Sequence, residues 1–397
     1  FGIWNSEFVI SPASAATLPN DPYYFRQWYL DKIQTPQAWD IATGNKKIIV
    51  AIIDAGFHLN HPDLKQNLWL NPKEIPDNNI DDDLNGFIDD LHGWNFIDNN
   101  SNLAPKIDKT IAEYKAIASH GTIIAGIIGA QTNNNEGIAG INSNITIMLL
   151  KALDEKGSAH SVRVAQAIDY AVSKKVSLIQ MSFVGTGADP VLLTSIKRAY
   201  ENGILLVAAA GNGKNGQGLD LNAEPKYPIC YQEGGRKLII GVAGLGLDDM
   251  KVASSNFGAS CVDLAAPGTK IFGTQYVTPD DLEFQELYGG YWSGTSLATP
   301  IVTGVLALMR GLAPQAPAEK IKELILASAD PIDGLNPQYV GKLGKGRVNA
   351  FQALESLKTY IQSLPAPPPP RPPAKLQEFT ANNGTATTTS LAISLKI

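Results

Sequence analysis

Short apolar segments alternate with stretches of helical periodicity over most of this 397-residue chain. Five runs have the length and composition of buried strands: Ile48–Ile53, Ile145–Leu150, Val176–Met181, Ile204–Ala209 and Leu238–Val242. Five stretches have the period of a helix: Gly121–Gly129, Val162–Lys174, Val191–Asn202, Leu297–Leu312 and Ala318–Ala327. Strands that alternate with helices form a parallel sheet covered on both faces, so we predict a three-layer α/β fold with a mainly parallel central sheet.

Composition narrows the class of protein further. A hydrophobic content of 44% with 18% charged residues indicates a globular chain with a sizeable core, not a disordered, collagenous or coiled-coil one. No apolar run approaches the roughly 18 residues that a membrane span requires, so no span is expected. The net charge of −6 argues against a nucleic-acid-binding surface. Its source is local, because Glu74 to Asp90 contains seven acids and no Lys or Arg, which leaves +1 for the remaining residues.

Composition also divides the chain into four parts. Residues 1–20 lack periodicity and are interpreted as a leader, and residues 21–358 carry the alternating pattern. Residues 359–375 contain seven of the 25 prolines and are predicted to form a stiff linker. Residues 376–397 are either a loose tail or the start of a further domain.

Three polar residues stand at the ends of these predicted elements. Asp54 ends the first strand, His120 is expected to open the helix Gly121–Gly129, and Ser296 begins the long helix to Leu312. Singly they could be a turn former, a solvated side chain and an N-cap. Together they supply a nucleophile, a general base and a carboxylate that orients the base, which acyl transfer by a serine requires.

Further motifs accompany these three residues in the same order as in a known family. The chain resembles the subtilisin-like serine proteases, closest to the thermitase type, over residues 19–357. The motifs are Ile53–Gly56, His61–Leu64, His120–Thr122, Ala208–Asn212, Tyr227–Pro228, Ala266–Gly268, Gly294–Pro300 and Gly346–Ala350.

The resemblance implies a serine endopeptidase with assigned roles for four residues. Ser296 would be the nucleophile, His120 the general base and Asp54 the orienting carboxylate. Asn212 would donate its side-chain amide to the oxyanion, together with the backbone N–H of the nucleophile. The resemblance also implies protein or peptide substrates, an inhibitory pro-region before maturation, a monomer, and a secreted enzyme, either extracellular or periplasmic.

Two segments match the family's substrate-binding edges. One is Ser182–Phe183–Val184–Gly185, and the other is Gly157–Ser158–Ala159, so an extended peptide would be held between them. The family generally has glycine where this chain has Val184, which should narrow the primary pocket. Lys226 matches the floor of that pocket. It either favours an acidic residue before the scissile bond or reaches solvent or Glu224.

The acidic segment has the first half of a calcium-loop spacing. Asp81, Asp83 and Asn85 occupy positions 1, 3 and 5, and Asp89 occupies position 9. The twelfth position is His92 and not the bidentate Glu of an EF-hand, so the segment is not an EF-hand. Ca²⁺ prefers such oxygen ligands, and asp-rich calcium loops occur in the family. The alternative is a solvated acidic loop.

The resemblance implies a second calcium site and a disulfide. Asp21, Asp63 and the loop at Asn133 match the residues that hold the family's tight calcium. Cys230 and Cys261 lie in segments that run side by side in the family, so a bridge and an oxidising compartment are implied. Two buried thiols are the alternative. Two other functions stay open: a processing protease for one partner, and a non-catalytic relative that binds peptides.

Overall fold

The computed structural model describes residues 18–365. In that range the strands are β1 Gly44–Asp54, β2 Gly93–Asn95, β3 Asn144–Lys151, β4 Leu178–Met181, β5 Leu205–Ala209, β6 Gln232–Glu233, β7 Arg236–Lys237, β8 Ile240–Leu245, β9 Leu264–Pro267, β10 Ile271–Thr274 and β11 Tyr288–Trp292. The α-helices are α1 Trp28–Lys32, α2 Thr35–Trp39, α3 Tyr114–Gly129, α4 Ser161–Ser173, α5 Pro190–Glu201, α6 Thr295–Leu312, α7 Ala318–Ala327 and α8 Ala350–Ser363.

A seven-stranded sheet forms the centre of the molecule. Its strand order is β2-β3-β1-β4-β5-β8-β9, and every pair of neighbours is parallel. Side chains of a strand alternate between the two faces, and in β1 Val50 and Ile52 join one hydrophobic core while Ala51 and Ile53 join the other. The predicted three-layer α/β fold with a parallel sheet is therefore confirmed.

Helices cover the sheet on both faces. Helices α3, α6, α7 and α8 contribute to the core on one face, and α4 and α5 to the core on the other. Helix α6 lies across five strands of the sheet, β1, β4, β5, β8 and β9. In the described part of the chain it alone is long and apolar enough to cross a membrane, but 83% of it is buried inside the fold.

Two predicted boundaries differ from the structure by five residues or more. Helix α3 begins at Tyr114, so His120 lies in its seventh position and does not open it. The sequence from Tyr114 to Ser119 contains no Gly or Pro, so nothing in it stops a helix that the small residues after His120 continue. Helix α8 runs to Ser363, five residues beyond the expected end of the domain at 358. The leader up to residue 17 and the segment 366–397 lie outside the described residues.

One disulfide joins the loop after the Tyr227–Pro228 motif to the segment before β9. Cys230 and Cys261, the two cysteines of the chain, are bonded to each other with their Cα atoms 4.7 Å apart. Cys261 is almost fully buried, so the bridge extends the core beneath the sheet edge. The structure thus has the disulfide that the resemblance implied and not two thiols.

Candidate active site

The carboxyl edge of the sheet brings four polar residues to one cleft. Asp54 is the last residue of β1, and Asn212 follows β5 in a loop. Because parallel strands all end at one edge, these two side chains come from the same side of the sheet. His120 on α3 and Ser296 at the second position of α6 line the same cleft.

A hydrogen-bonded pair links Asp54 to His120. The Nδ1 atom of His120 lies 2.8 Å from Oδ2 and 3.0 Å from Oδ1 of Asp54, which is fully buried and also accepts from the backbone N–H of Ala55. Burial opposes a charge on the ring, but the Asp54 carboxylate outweighs this effect and raises the pKa of His120 above its ordinary 6.5. With Nδ1 held by a carboxylate, Nε2 is the nitrogen free to exchange a proton.

The Ser296 hydroxyl is held by main chain. Its Oγ donates to the carbonyl of Ser182 at 3.1 Å, and in the described residues it makes no hydrogen bond to His120. Catalytic hydrogen bonds are often formed only when substrate is bound. The Ser182 hydroxyl in turn donates to the carbonyl of Ser296 at 2.8 Å, so the two serines are tied to each other.

A buried chain of side chains fixes Ser182. Thr303 of α6 donates to Oε1 of Gln180 at 2.6 Å, and Nε2 of Gln180 donates to Oγ of Ser182 at 2.6 Å. This chain connects β4 to α6 beneath the cleft. Sequence reasoning missed it, because a Gln inside an apolar strand and a Thr inside a helix show their pairing only after the two elements pack.

The side chain of Asn212 is oriented by the start of α6. Its Oδ1 accepts from the backbone N–H of Thr295 at 3.1 Å, so its amide nitrogen remains as a donor. Gly211 has φ +84°, a left-handed conformation that favours glycine, and a Cβ there would lie 2.6 Å from Cγ2 of Val184. The loop therefore needs glycine beside Asn212.

Residues of both expected substrate edges line one groove, and Gly157, Phe183 and Val184 line the cleft as well. The groove lining includes Gly157, Ser158 and Ala159 of one edge and Phe183, Val184 and Gly185 of the other, together with Tyr227 and Pro228. The Gly185 main chain pairs with that of Tyr227, through N···O distances of 2.6 and 2.9 Å. Val184 also lines the cleft that Ser296 lines.

Helix α3 adds a lining residue that sequence reasoning missed. Ile117 faces the cleft with His120, three positions away on the same helical face. A sequence prediction that began this helix at Tyr114 would have placed Ile117 on the same face as His120. Lys226, in contrast, is absent from the described lining; its Nζ lies 3.9 Å from Oε2 of Glu224, and 16% of its side chain is exposed.

The acidic segment brings three of its acids together, but not in the expected ligand set. The carboxylates that converge belong to Glu74, Asp83 and Asp90, with one oxygen of each within 4.8 Å of the others. Asp81 instead accepts from the backbone N–H groups of Asn85 and Gly86, at 3.0 and 2.7 Å, and so holds the turn.

The other two residues of the expected set, Asn85 and Asp89, also accept hydrogen bonds from backbone N–H groups of the segment. Asn85 accepts from the Phe87 N–H at 2.8 Å and donates to Asp90 at 3.0 Å. Asp89 accepts from the Asn79 N–H at 3.0 Å through one oxygen, whereas its other oxygen is buried without a hydrogen-bond partner, as is Oδ1 of Asp83. Such orphaned carboxylate oxygens fit a cation that prefers oxygen ligands.

A lysine and a tyrosine share this cluster. The Nζ atom of Lys174 lies 3.0 Å from Oδ2 of Asp90 and 3.5 Å from Oδ2 of Asp83, and the Tyr170 hydroxyl donates to Asp90 at 2.6 Å. Lys174 therefore offsets part of the negative charge. The oxygens that remain without a hydrogen-bond partner are Oδ1 of Asp83 and Oδ1 of Asp89.

The second group of expected metal ligands also comes together. Asp21 accepts from the backbone N–H of Asn133 at 3.0 Å, but the side chain that meets Asp63 belongs to Asn134, whose Nδ2 lies 2.7 Å from Oδ1. The Oδ1 atom of Asn133 accepts from the N–H of Asn20 instead. Burial raises the pKa of Asp21 and raises that of Asp63 to about 6, so a cation beside them would favour their ionised forms.

Comparison with known proteins agrees with this geometry. Residues 45–355 match the family model described as "Subtilase family". Thermitase from Thermoactinomyces vulgaris is 37% identical over 338 residues, which cover 85% of this chain and 99% of thermitase. The chain therefore belongs to the subtilase family, and it is a serine endopeptidase.

Other similar proteins differ in length and setting. An intracellular serine protease from Paenibacillus polymyxa is 33% identical over 72% of each chain. The chain spans about half the length of several other curated relatives. For halolysin from Haloferax mediterranei, the matched share of its length is 54%. Among solved structures, a protease from Pseudoalteromonas arctica superimposes with a TM-score of 0.68 at 26% identity, over 86% of this chain and all of that one.

The pairing of His120 with Asp54 predicts the effect of Asp54→Asn on the pH profile. The active form needs a neutral His120, so activity should fall as pH drops through its raised pKa. Removing the carboxylate removes the cause of that shift, so the acid limb of kcat/KM should move to lower pH. The rate at neutral pH should fall on the order of 10⁴-fold, because the ring loses its orientation. An acid limb that stays in place would contradict this role; hydrolysis of a chromogenic peptide from pH 5 to 9 measures both effects.

Proposed function

We propose that this chain hydrolyses peptide bonds through an acyl-enzyme formed on Ser296. The observation that carries the proposal is the 2.8 Å contact between Asp54 and His120 in a cleft that Ser296 and Asn212 also line. The alternatives are a dedicated processing protease and a non-catalytic relative that binds peptides. All four groups that acyl transfer needs are present, which disfavours the non-catalytic relative.

In this mechanism the Ser296 hydroxyl leaves the Ser182 carbonyl and gives its proton to Nε2 of His120 as Oγ attacks the scissile carbonyl carbon. The negative charge that forms on the carbonyl oxygen is stabilised by the amide of Asn212 and the backbone N–H of Ser296. The latter lies in the first turn of α6, where the helix dipole favours an anion. His120 then protonates the leaving amine, and a water activated by the same ring hydrolyses the ester.

Replacement of the nucleophile tests this function. Ser296→Ala should abolish covalent labelling by a fluorophosphonate and lower casein hydrolysis on the order of 10⁶-fold, because no acyl-enzyme can form. Ser293→Ala, three residues earlier, is the matched control and should retain labelling. Labelling of the Ser296→Ala protein at the original rate would contradict the proposal. Digestion of casein at many sites favours a general endopeptidase, and cleavage of one sequence alone favours the processing enzyme.

We further propose that Ca²⁺ binds in the acidic segment, where Asp83, Asp89, Glu74 and Asp90 would hold it. The support is the pair of buried carboxylate oxygens, on Asp83 and Asp89, that have no partner. Asp21, Asp63 and the loop at Asn133 are the proposed ligands at the second position. Calcium at these positions would tie surface loops to the sheet.

Chelation tests the calcium proposal. A ligand that binds only the folded state at 100 times its Kd adds about 2.7 kcal/mol of stability, so excess chelator should lower the melting temperature and speed autolysis. Asp83→Asn should reduce the difference between melting curves with and without calcium. Asp77→Asn, an exposed acid in the same segment, should leave that difference unchanged. Identical melting curves for the parent protein with and without chelator would refute the proposal.

Substrate preference before the scissile bond depends on Lys226. Its contact with Glu224 is long, and the Glu224 side chain is 62% exposed, so this ion pair contributes about 0–1 kcal/mol and a substrate carboxylate can compete for it. We propose that Lys226 turns to an acidic residue in the pocket that Val184 narrows. The alternative is that Lys226 stays with Glu224, outside the cleft lining.

Paired peptides decide between these two positions of Lys226. Substrates that differ only in Glu against Phe before the cut should show a higher kcat/KM for Glu. Lys226→Met should lower hydrolysis of the Glu peptide about 10- to 100-fold, the value of a charge-assisted hydrogen bond, and leave the Phe peptide nearly unchanged. A strong preference of the parent enzyme for Phe would overturn the acidic pocket.

Localisation and maturation complete the proposal. The Cys230–Cys261 bridge supports a secreted enzyme, since disulfides persist in oxidising compartments. The intracellular relative is the counterexample within the family. We propose synthesis with an inhibitory pro-region and activity as a monomer, on the resemblance to the family alone.

A further inference from the structure

The Nζ atom of Lys251 is surrounded by main-chain carbonyls. It donates to the carbonyl oxygens of Val252, Ala253 and Ser255 at 2.9, 3.0 and 2.9 Å. We propose that Lys251 is a positioning residue for the oxyanion donor Asn212, and that it acts by locking the turn formed by residues 252–256. This inference rests on the proposed role of Asn212.

The turn 252–256 supports the loop that carries Asn212. The N–H of Gly213 donates to the Ser254 carbonyl at 2.8 Å, and the N–H of Gly218 donates to the Ala253 carbonyl at 2.8 Å. Asn212 itself forms an antiparallel bridge with Ser255. The loop therefore takes its position from main-chain groups of the turn on both sides of Asn212.

The Asn256 side chain closes the same attachment. Its Nδ2 donates to the Ala210 carbonyl at 2.8 Å, and its Oδ1 accepts from the N–H of Leu219 at 2.8 Å. Its backbone N–H donates to the Gly211 carbonyl at 3.0 Å. A shift of the turn would therefore shift Gly211 and Asn212 with it.

Three carbonyl oxygens that converge on one point repel each other and need a donor or a cation between them. The ammonium of Lys251 supplies three N–H donors and a positive charge. The rings of Tyr339 and Phe257 lie 4.8 and 5.3 Å from Nζ, so the contact is covered by aromatic faces that also favour a cation. Without the ammonium, the carbonyls lose this partner and the turn must rearrange.

Catalysis is sensitive to such a rearrangement. Oxyanion donors act at hydrogen-bond distance, and a misplacement of about 1 Å can cost about 10²-fold in rate. Lys251 does not line the cleft described above, so its removal should leave substrate contacts in place. The effect is therefore expected in kcat and not in KM.

The test compares Lys251→Met with Lys342→Met. Lys342 also lies over the Phe257 ring, at 5.4 Å, but its Nζ binds Asp220 and not the carbonyls of the turn. Burial lowers the pKa of Lys251 to about 8, so assays at pH 7 keep the ammonium in the parent enzyme. We expect Lys251→Met to lower kcat about 10- to 100-fold with KM changed less than about threefold, and Lys342→Met to keep kcat within about twofold.

A double-mutant cycle with Asn212→Ala separates this inference from the proposed function. If Lys251 acts through Asn212, Lys251→Met should have little further effect on kcat in the Asn212→Ala protein. The same loss in both backgrounds, or a kcat within about twofold of the parent for Lys251→Met, overturns the inference. An unchanged kcat for Asn212→Ala alone refutes the oxyanion role instead. If Lys251→Met does not fold, as judged by near-ultraviolet circular dichroism, Lys251→Gln takes its place in the cycle.

Discussion

The packing of helix α6 across the parallel sheet determines where the chemistry can occur. The helix is buried along nearly its whole length and contacts five strands, so it cannot shift or tilt without opening one of the two cores. The N-terminus of α6 lies at the carboxyl edge of the sheet. Ser296 is therefore fixed by a large apolar interface although its own hydroxyl makes one weak contact, and Thr295 and Thr303 connect that interface to Asn212 and to Gln180.

The buried charges of the active site and of the acidic segment depend on hydrogen bonds and ion pairs for compensation. A fully buried carboxylate such as Asp54 is costly unless it is hydrogen-bonded, and His120 and the N–H of Ala55 supply that compensation. The same pair supplies the base that the reaction needs. In the acidic segment the compensation is incomplete, because Lys174 reaches Asp83 and Asp90 but leaves two carboxylate oxygens without partners.

Periodicity and motif order predicted the sheet, the buried helices and the four residues of the cleft. The sheet and the helices follow from local composition, since an apolar run can be recognised without its neighbours, whereas the roles of the four cleft residues came from the family resemblance. The predicted start of α3 was wrong, because the prediction was based on the small residues after His120 and not on the helix-forming residues before it.

The acidic segment shows the limit of spacing as evidence. Its ligand pattern identified the loop but not which acids point inward. Asp81 is used to hold a turn, and Glu74 and Asp90 lie outside the expected set of positions. The side chain that contacts Asp63 is that of Asn134 and not that of Asn133 for the same reason: adjacent residues in a loop differ in direction, and only the fold determines which one faces Asp63.

The contact between Val184 and Gly211 has a consequence for how this enzyme can change. The valine methyl groups rest where a side chain at Gly211 would stand, so the pocket wall and the loop that carries Asn212 are packed against each other. A smaller residue at 184 would widen the pocket and also remove a support of that loop; a larger one would press on it. Under the proposed role of Val184, a substitution that alters the pocket would also act on the loop that carries Asn212, so a change of selectivity at this position would bring a change of turnover.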